Sequence, residues 1–442
     1  MGMNLKILEG SENYVCTIVQ IDNLHEIENC DNIQRTVIFG NNVIVSKKVQ
    51  LNDIMCYFVS GTRLNSEYCH KNNLYDNKDM NYNKEEKGFI SHKQCRVKAI
   101  KLRGIISDGM LMPLSSFNPF LEQSSINQFK VGDSFNLIND NLLCQKYIIP
   151  TKPVQNNVKQ GKSGNKFNKI IENQFYFHNS TENLRRNYHK LQPNDIIGIH
   201  YKKHGTSAVF ANILTNRPLK WYEKILIKLG VNINTTQYDI IYSSRKVIKN
   251  KYINPEQVAG FYNEDIWRVV KDQIKHLVPK NWTLYGEIIG FLPEKGYIQP
   301  KYDYKCKPGE YKFYVYKISI VNPDGKIIYL TDKQIEEYCE KVGLLYKDTF
   351  IYYGRAIDRF NYKEEGKEWS LETWREKFLE VLEATYNEKD CYMCNNKVPE
   401  EGIIVRIEHL EEYEAYKLKS HRFLLLESEQ QENEQNNIED ET

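Results

Sequence analysis

The chain has 442 residues, 41% of them hydrophobic, which is enough for two or three domains with their own cores. No run approaches the roughly 20 apolar residues of a membrane helix. The N-terminus lacks the charged-then-apolar order of a signal peptide, and Lys6 stands where a myristoylation signal wants Ser or Thr. A soluble intracellular monomer with no membrane partner is therefore expected. The net charge of +2 conceals a body of +9, because the last sixteen residues, 427–442, hold seven acids and no base. Such a tail reads as disordered and solvating, while the basic body suits an anionic partner.

Residues 14–113 read as short strands: "YVCTIVQI", "RTVIFG" turning through Gly40 and Asn41 into "NNVIV", "DIMCYFVSG", "CRVKAIKL" and "GMLMPL", with one polar insertion at 70–88. Many short strands with Gly and Asn turns predict a small β-barrel within residues 1–150. Between Lys93 and Arg103 lie five bases and no acid. The basic positions change parity between Lys98 and Lys101, and the apolar ones shift likewise from Val97 and Ala99 to Ile100 and Leu102. A bulge or sharp bend is therefore expected near Ala99 and Ile100, since an unbroken strand would bury charge at one end. A barrel face carrying Arg96, Lys98, Lys101 and Arg103 would bind nucleic-acid phosphates.

Residues 151–169 are polar, basic and nearly free of apolar side chains, and read as a linker. The "GKS" within it, at 161–163, is no phosphate loop: Asn156 replaces the first glycine and no strand precedes it. From about residue 175 strands and helices mix. Helices are expected over 255–279, with Val258, Ile266, Val270, Ile274 and Leu277 on one face, and at 332–343 and 371–386, with a hairpin across Asp324 and Gly325. The order is not a regular βαβ alternation, so the fold class is α+β with mainly antiparallel sheets and flanking helices. Ten cysteines are scattered through the chain, and only Cys391 and Cys394 form a CxxC. Without a second pair or a nearby histidine it lacks four zinc ligands, and free thiols are expected.

The stretch "IHYKKHGTSAVF", residues 199–210, ends an apolar run in two lysines, a histidine and a glycine. Alone it is a surface strand end. Downstream follow, in order, "SSRKV" (243–247), "LYGEIIG" (284–290), "FYVYKI" (313–318), "EEGIIVRI" (400–407) and "AYKLKS" (415–420). The set resembles the signature of the covalent nucleotidyltransferases, the superfamily of ATP-dependent polynucleotide ligases and mRNA capping enzymes. A lysine that attacks the α-phosphorus of ATP must be neutral, and moving its pKa from about 10.4 towards 7 takes roughly 4–5 kcal/mol. Neighbouring cations and a divalent metal can supply that bias and stabilise the transferring phosphoryl group.

The family pattern of lysine, any residue, aspartate or histidine, then glycine selects Lys202 as the nucleophile, with His204 and Gly205 completing the motif and Lys203 a bystander. The resemblance further implies that Lys417 and Lys419, at strand spacing, serve the α-phosphate. It casts Glu287 as a contact to ribose and metal-bound water and Glu401, before Gly402, as the second metal-organising carboxylate. Mg2+ or Mn2+ would be held through water. Phe313 and Ile404 resemble the pair that sandwiches adenine, and Arg245 a basic residue near sugar and phosphate, with Lys246 its rival and Glu400 the rival of Glu401. Gly286 would let backbone approach the ligand.

DNA ligases and capping enzymes continue after the last lysine block into a C-terminal oligonucleotide-binding (OB) domain. Here 23 residues follow Lys419. The barrel lies first instead, and "CRVKAIKLRGIISDGMLMPL" after "VSGTRL" resembles the fifth RNA-ligase family. That likeness implies an N-terminal OB domain over 1–150, a catalytic domain over 170–426, ATP as AMP donor, and sealing of nicks in duplexes with RNA on the 3′-hydroxyl side. A capping-type guanylyltransferase and an inactive RNA-binding module are the alternatives.

Overall fold

The computed structural model describes residues 3–148, 169–179, 181–250, 265–294, 296–346, 350–360 and 369–432. The expected linker at 151–169 lies outside them except for Lys169, and so does Val258. The architecture is α+β with antiparallel sheets predominating.

The N-terminal barrel is built from β1 (Cys16–Gln20), β2 (Ile33–Ile38), β3 (Asn41–Ser46), β4 (Ile54–Phe58), β5 (Thr62–Leu64), β6 (Ala99–Leu102), β7 (Ile105–Asp108), β8 (Met110–Pro113), β9 (Ser134–Phe135) and β10 (Cys144–Lys146). One sheet runs β8-β4-β1-β9, and β2 pairs with β3, β6 with β7 and β5 with β10, all antiparallel. Strand alternation sends Cys56 and Phe58 of β4 into one apolar cluster and Met55 and Tyr57 into a second. The β2–β3 turn is centred one residue earlier than expected: Phe39 and Gly40 both take positive φ (49° and 73°), and Asn41 already pairs with Ile38. The insertion at 70–88 folds around buried Asn81, which bonds Tyr75 and Glu86, and it adds Leu74 and Tyr75 to the core.

Where a bend is expected, at Ala99 and Ile100, the chain has just changed partner: Arg96 is bridged to Arg63 of β5 and the Val97 N–H donates to the Thr62 carbonyl, whereas from Ala99 onward the chain pairs with β7. The parity change is thus a change of partner strand.

The second region holds β11 (Ile196–Tyr201), β12 (Thr206–Asn216), α1 (Trp221–Lys228), β13 (Thr236–Ser243), α2 (Ile266–Ile274), β14 (Trp282–Gly290), β15 (Tyr311–Val321), β16 (Ile327–Tyr329), α3 (Asp332–Val342), β17 (Phe350–Arg355), α4 (Leu371–Tyr386), β18 (Gly402–Ile407), β19 (Glu414–Lys419) and α5 (His421–Glu432). Two five-stranded sheets result. One runs β13-β12-β14-β15-β16, and the other runs from Glu182–Asn183 through β19, β18 and β11 to β17. Helices α2 and α3 pack on the first and α4 on the second. The caps explain two of them: Thr331 and Gln334 form a capping box at α3, whose far end stops at Gly343 with φ +75°, and Ser370 caps α4. The β15–β16 hairpin crosses Asp324 and Gly325 as the sequence suggests.

Helix α5 corrects the expected tail for residues 427–432. These are helical, and Ser428, Gln430 and Gln431 are buried. No described helix is long and apolar enough to cross a membrane, and all ten cysteines are free thiols.

Candidate active site

The two sheets and the barrel face one cleft, and the motif residues converge there. Lys202 follows β11 directly, and its backbone N–H donates to the Gly402 carbonyl at 2.9 Å, tying the loop after β11 to the start of β18. Gly402 permits this join. Its φ is +138°, and a Cβ there would stand 2.0 Å from the Leu418 carbonyl of the neighbouring strand. The Lys202 ammonium lies 2.7 Å from Glu401 Oε1, and Lys419 Nζ lies 3.9 Å from the same oxygen. Across β18 and β19 Lys419 pairs with Gly402 and Lys417 with Ile404, so both lysines and Ile404 share one face. On the other sheet Ser207, Glu287 and Tyr314 are register partners across β12, β14 and β15.

Lys202, Arg245, Glu287, Ile404, Lys417 and Lys419 all line this cleft. Arg245 does so, while its rival Lys246 is exposed. The cations crowd one another: burial draws the Lys417 ammonium down to about 7, and Lys419, Lys146, Arg245 and Lys202 add repulsion. The other carboxyl of the block, Glu400, is pushed up to about 9, by burial first and then by the nearby Cys391. Glu401, by contrast, is the carboxyl that meets Lys202 and, at 3.9 Å, Lys419.

Several expected site residues stand elsewhere. Phe313 belongs to the core beside Phe210, 5.1 Å between ring centroids, and does not line the cleft. Its ring fills the space that a Cβ on Gly286 would need, so that glycine admits an aromatic core residue rather than a ligand. Tyr314 and Tyr316 of the same block line the cleft, the Tyr316 hydroxyl lying 3.3 Å from Ser207 Oγ and 3.1 Å from His178 Nδ1. His204 is buried behind the cleft between Tyr302 and Phe423, its Nδ1 3.9 Å from Glu401 Oε2, so it backs the carboxylate rather than lining the cleft. Gly205 lets the chain pass close to β14, where a Cβ would lie 2.3 Å from the Ile288 carbonyl. Lys203 is buried over the Tyr314 and Tyr392 rings.

The barrel surface needs the largest correction. Arg96 is buried and donates to Gln431 Oε1 at 2.6 Å and the Ser428 carbonyl at 3.0 Å, and Lys98 pairs with Glu432, so α5 covers both. Lys101 and Arg103 remain exposed. The barrel contributes to the cleft by another route, through Tyr14, Ser60 and Lys146. No sequence signal marked these residues. Tyr316 stood inside a recognised block, two strand positions from Tyr314.

Among the described residues no three His, Cys, Asp or Glu side chains gather as a metal site. Glu287, on β14, and Glu401, just before β18 and paired with Lys202, are the carboxyls that would hold a hydrated Mg2+ or Mn2+, which would supply positive charge to the phosphates.

The RNA ligase family model matches residues 199–419, and an OB-fold domain model matches residues 15–114. No curated protein sequence matches the chain significantly. Among solved structures, an RNA ligase of Naegleria gruberi is similar throughout. A mutant with ATP and Mn aligns at TM-score 0.54 and 14% identity, covering 96% of this chain and 99% of that one. An apo mutant aligns at 0.55 and 16%, covering 95% and 99%. The form with pyrophosphate aligns at 0.54 and 15%, covering 94% and 98%.

Proposed function

The chain belongs to the RNA ligase family, and we propose that it uses ATP to join a 3′-hydroxyl to a 5′-phosphate, acting on nicks in duplexes with RNA on the 3′-hydroxyl side. The observation that carries the reading is the convergence of Lys202, Arg245, Glu287, Lys417 and Lys419 on one cleft, with the buried Glu401 2.7 Å from the Lys202 ammonium. The Naegleria ligase complexes with ATP, Mn and pyrophosphate support ATP as the AMP donor.

In the first step Lys202 Nζ attacks the α-phosphorus, a P–N bond forms, and the P–O bond to pyrophosphate breaks. The lysine must first give up its proton. Glu401 favours the ammonium, whereas Lys417, Lys419 and Arg245 oppose it, so attack follows release of Lys202 from its carboxylate partner. A divalent ion near Glu287 and Glu401 would supply positive charge to the phosphates and compete for Glu401. Lys417 and Lys419 donate to the α-phosphate as charge develops, while Tyr316 and Ile404 flank the adenine. A 5′-phosphate then takes AMP from Lys202, and the 3′-hydroxyl finally attacks the activated 5′-phosphate and expels AMP.

The test is incubation with α-labelled ATP or GTP and a divalent metal, followed by denaturing electrophoresis and a sealing assay on nicked duplexes. Covalent label from ATP that chases into sealed RNA is expected. Label from GTP alone would make the protein a guanylyltransferase, and no label from either would make it a binding module.

A further inference from the structure

Helix α5 touches both halves of the molecule. Inside the cleft Glu427 Oε1 accepts from Lys419 Nζ at 2.9 Å, and Leu424 and Gln431 of the same helix line the wall. On the adjoining face the barrel's Arg96 holds Gln431 and the Ser428 carbonyl, the Ala99 N–H donates to Ser428 Oγ at 3.2 Å, and Lys98 pairs with Glu432. Residues four apart share a helix face, so Glu427 and Gln431 form one row and Ser428 and Glu432 the next. A single turn of helix thus grips the phosphate-site lysine and the barrel together.

A carboxylate and a phosphate oxygen are interchangeable partners for an ammonium, and two anions held against one ammonium repel each other. Lys419 is already shared between Glu427 and, at 3.9 Å, Glu401. We propose that Glu427 is an internal stand-in for the nucleotide's phosphate on Lys419, and that phosphate binding displaces it and loosens the helix's hold on the barrel. The inference rests on the reading of Lys419 as a phosphate ligand. It makes Glu427 a positioning residue: it keeps Lys419 in the cleft between turnovers, and it links occupancy of the nucleotide site to the strap across Arg96.

Glu427→Gln keeps the side chain's shape and removes its charge. In single-turnover lysyl-AMP formation the ATP concentration giving half the maximal rate should fall about tenfold, the equivalent of one charge-assisted hydrogen bond no longer displaced. Glu427→Asp, which retains the charge, should fall less. A helix that merely packs would, when weakened, reduce active protein without tightening ATP. Wild-type labelling with an unchanged or raised half-saturating ATP in folded Glu427→Gln overturns the inference. Absence of wild-type labelling would instead sink the functional reading. A second measurement needs no variant: with α,β-methylene-ATP, amide exchange across 421–432 of the native protein should quicken, and unchanged or slower exchange also overturns the proposal.

Discussion

Lys202 and Glu401 form a 2.7 Å ion pair at the junction of β11 and β18, while the next lysine, Lys203, turns into a cage of Tyr314 and Tyr392. Lys202→Ala should abolish covalent AMP attachment. Lys203→Ala should retain it but lower stability by roughly 1–2 kcal/mol through lost packing and cation–π contact. Gel labelling and denaturant melts read both, and label persisting in Lys202→Ala would remove the nucleophile assignment.

Lys417 and Lys419 should affect both ATP affinity and rate, since each meets the bound phosphate and holds it more strongly as charge develops. Either one changed to Ala should slow single-turnover adenylylation by the equivalent of roughly 3–4 kcal/mol, with poor rescue by Arg, whose planar fork does not reproduce a compact ammonium. Near wild-type adenylylation and sealing rates in both variants would make them surface charges.

The lowered pKa of Lys417, about 7, gives a proton signature. Below pH 7 its ammonium is charged in free and bound states, and ATP binding takes up no proton there. Above pH 7 the free group is neutral, the bound phosphate favours the ammonium, and affinity should fall as pH rises. Calorimetry of ATP binding to Lys202→Ala in buffers of different ionisation enthalpy should show uptake above neutrality, lost in Lys202→Ala/Lys417→Arg. The same shift bears on stability: the unfolded lysine holds its proton to a higher pH, so this group adds stability as pH rises from about 7 towards its ordinary value. Uptake that is absent, or that persists with Arg, would contradict the assignment.

Phe313 and Tyr316 should separate cleanly. Phe313→Ala empties a core site and should cost about 3–4 kcal/mol of stability, with ATP half-saturation unchanged in the folded fraction. Tyr316→Ala should instead raise the half-saturating ATP concentration with little loss of stability. The reverse pattern would restore Phe313 to the adenine site.

Arg96 and Lys101 divide structure from recognition. Arg96→Ala should destabilise the α5 contact by about 1.5–3 kcal/mol and leave the salt slope of RNA binding unaltered. Lys101→Ala should leave stability alone and lower that slope by about one. A lowered slope in Arg96→Ala would return it to the RNA-facing surface.

The motif blocks could be read from sequence because their chemistry is local: a lysine beside a glycine, two lysines at strand spacing, a carboxylate before Gly402. Capped helices such as α3 and α4 were readable for the same reason. Facing was harder. The β14–β15 register shifts between Tyr285 and Gly286, so which aromatic of "FYVYKI" meets the cleft depends on a bulge no spacing reveals. Helix α1 escaped although Trp221 and Ile225, and Tyr222 and Leu226, recur at helical spacing; these side chains stay exposed and none of the helix is buried. Helix α5 escaped because its polar side chains are buried by partners more than 300 positions away, as with Arg96 and Gln431.

The core also governs the nucleophile from a distance. Asp332, the first residue of α3, bonds His200 at 2.7 Å on β11 and Arg406 at 2.9 Å on β18, and a Cβ on Gly198 would strike its carboxylate at 1.6 Å. Strand β11 therefore cannot slide past its neighbours, and Lys202 rides on a mount bolted 132 residues along the chain. Damage to Asp332 would be felt first as a loss of aim: the amine would still be present and still basic, but no longer in line with the bond it must break.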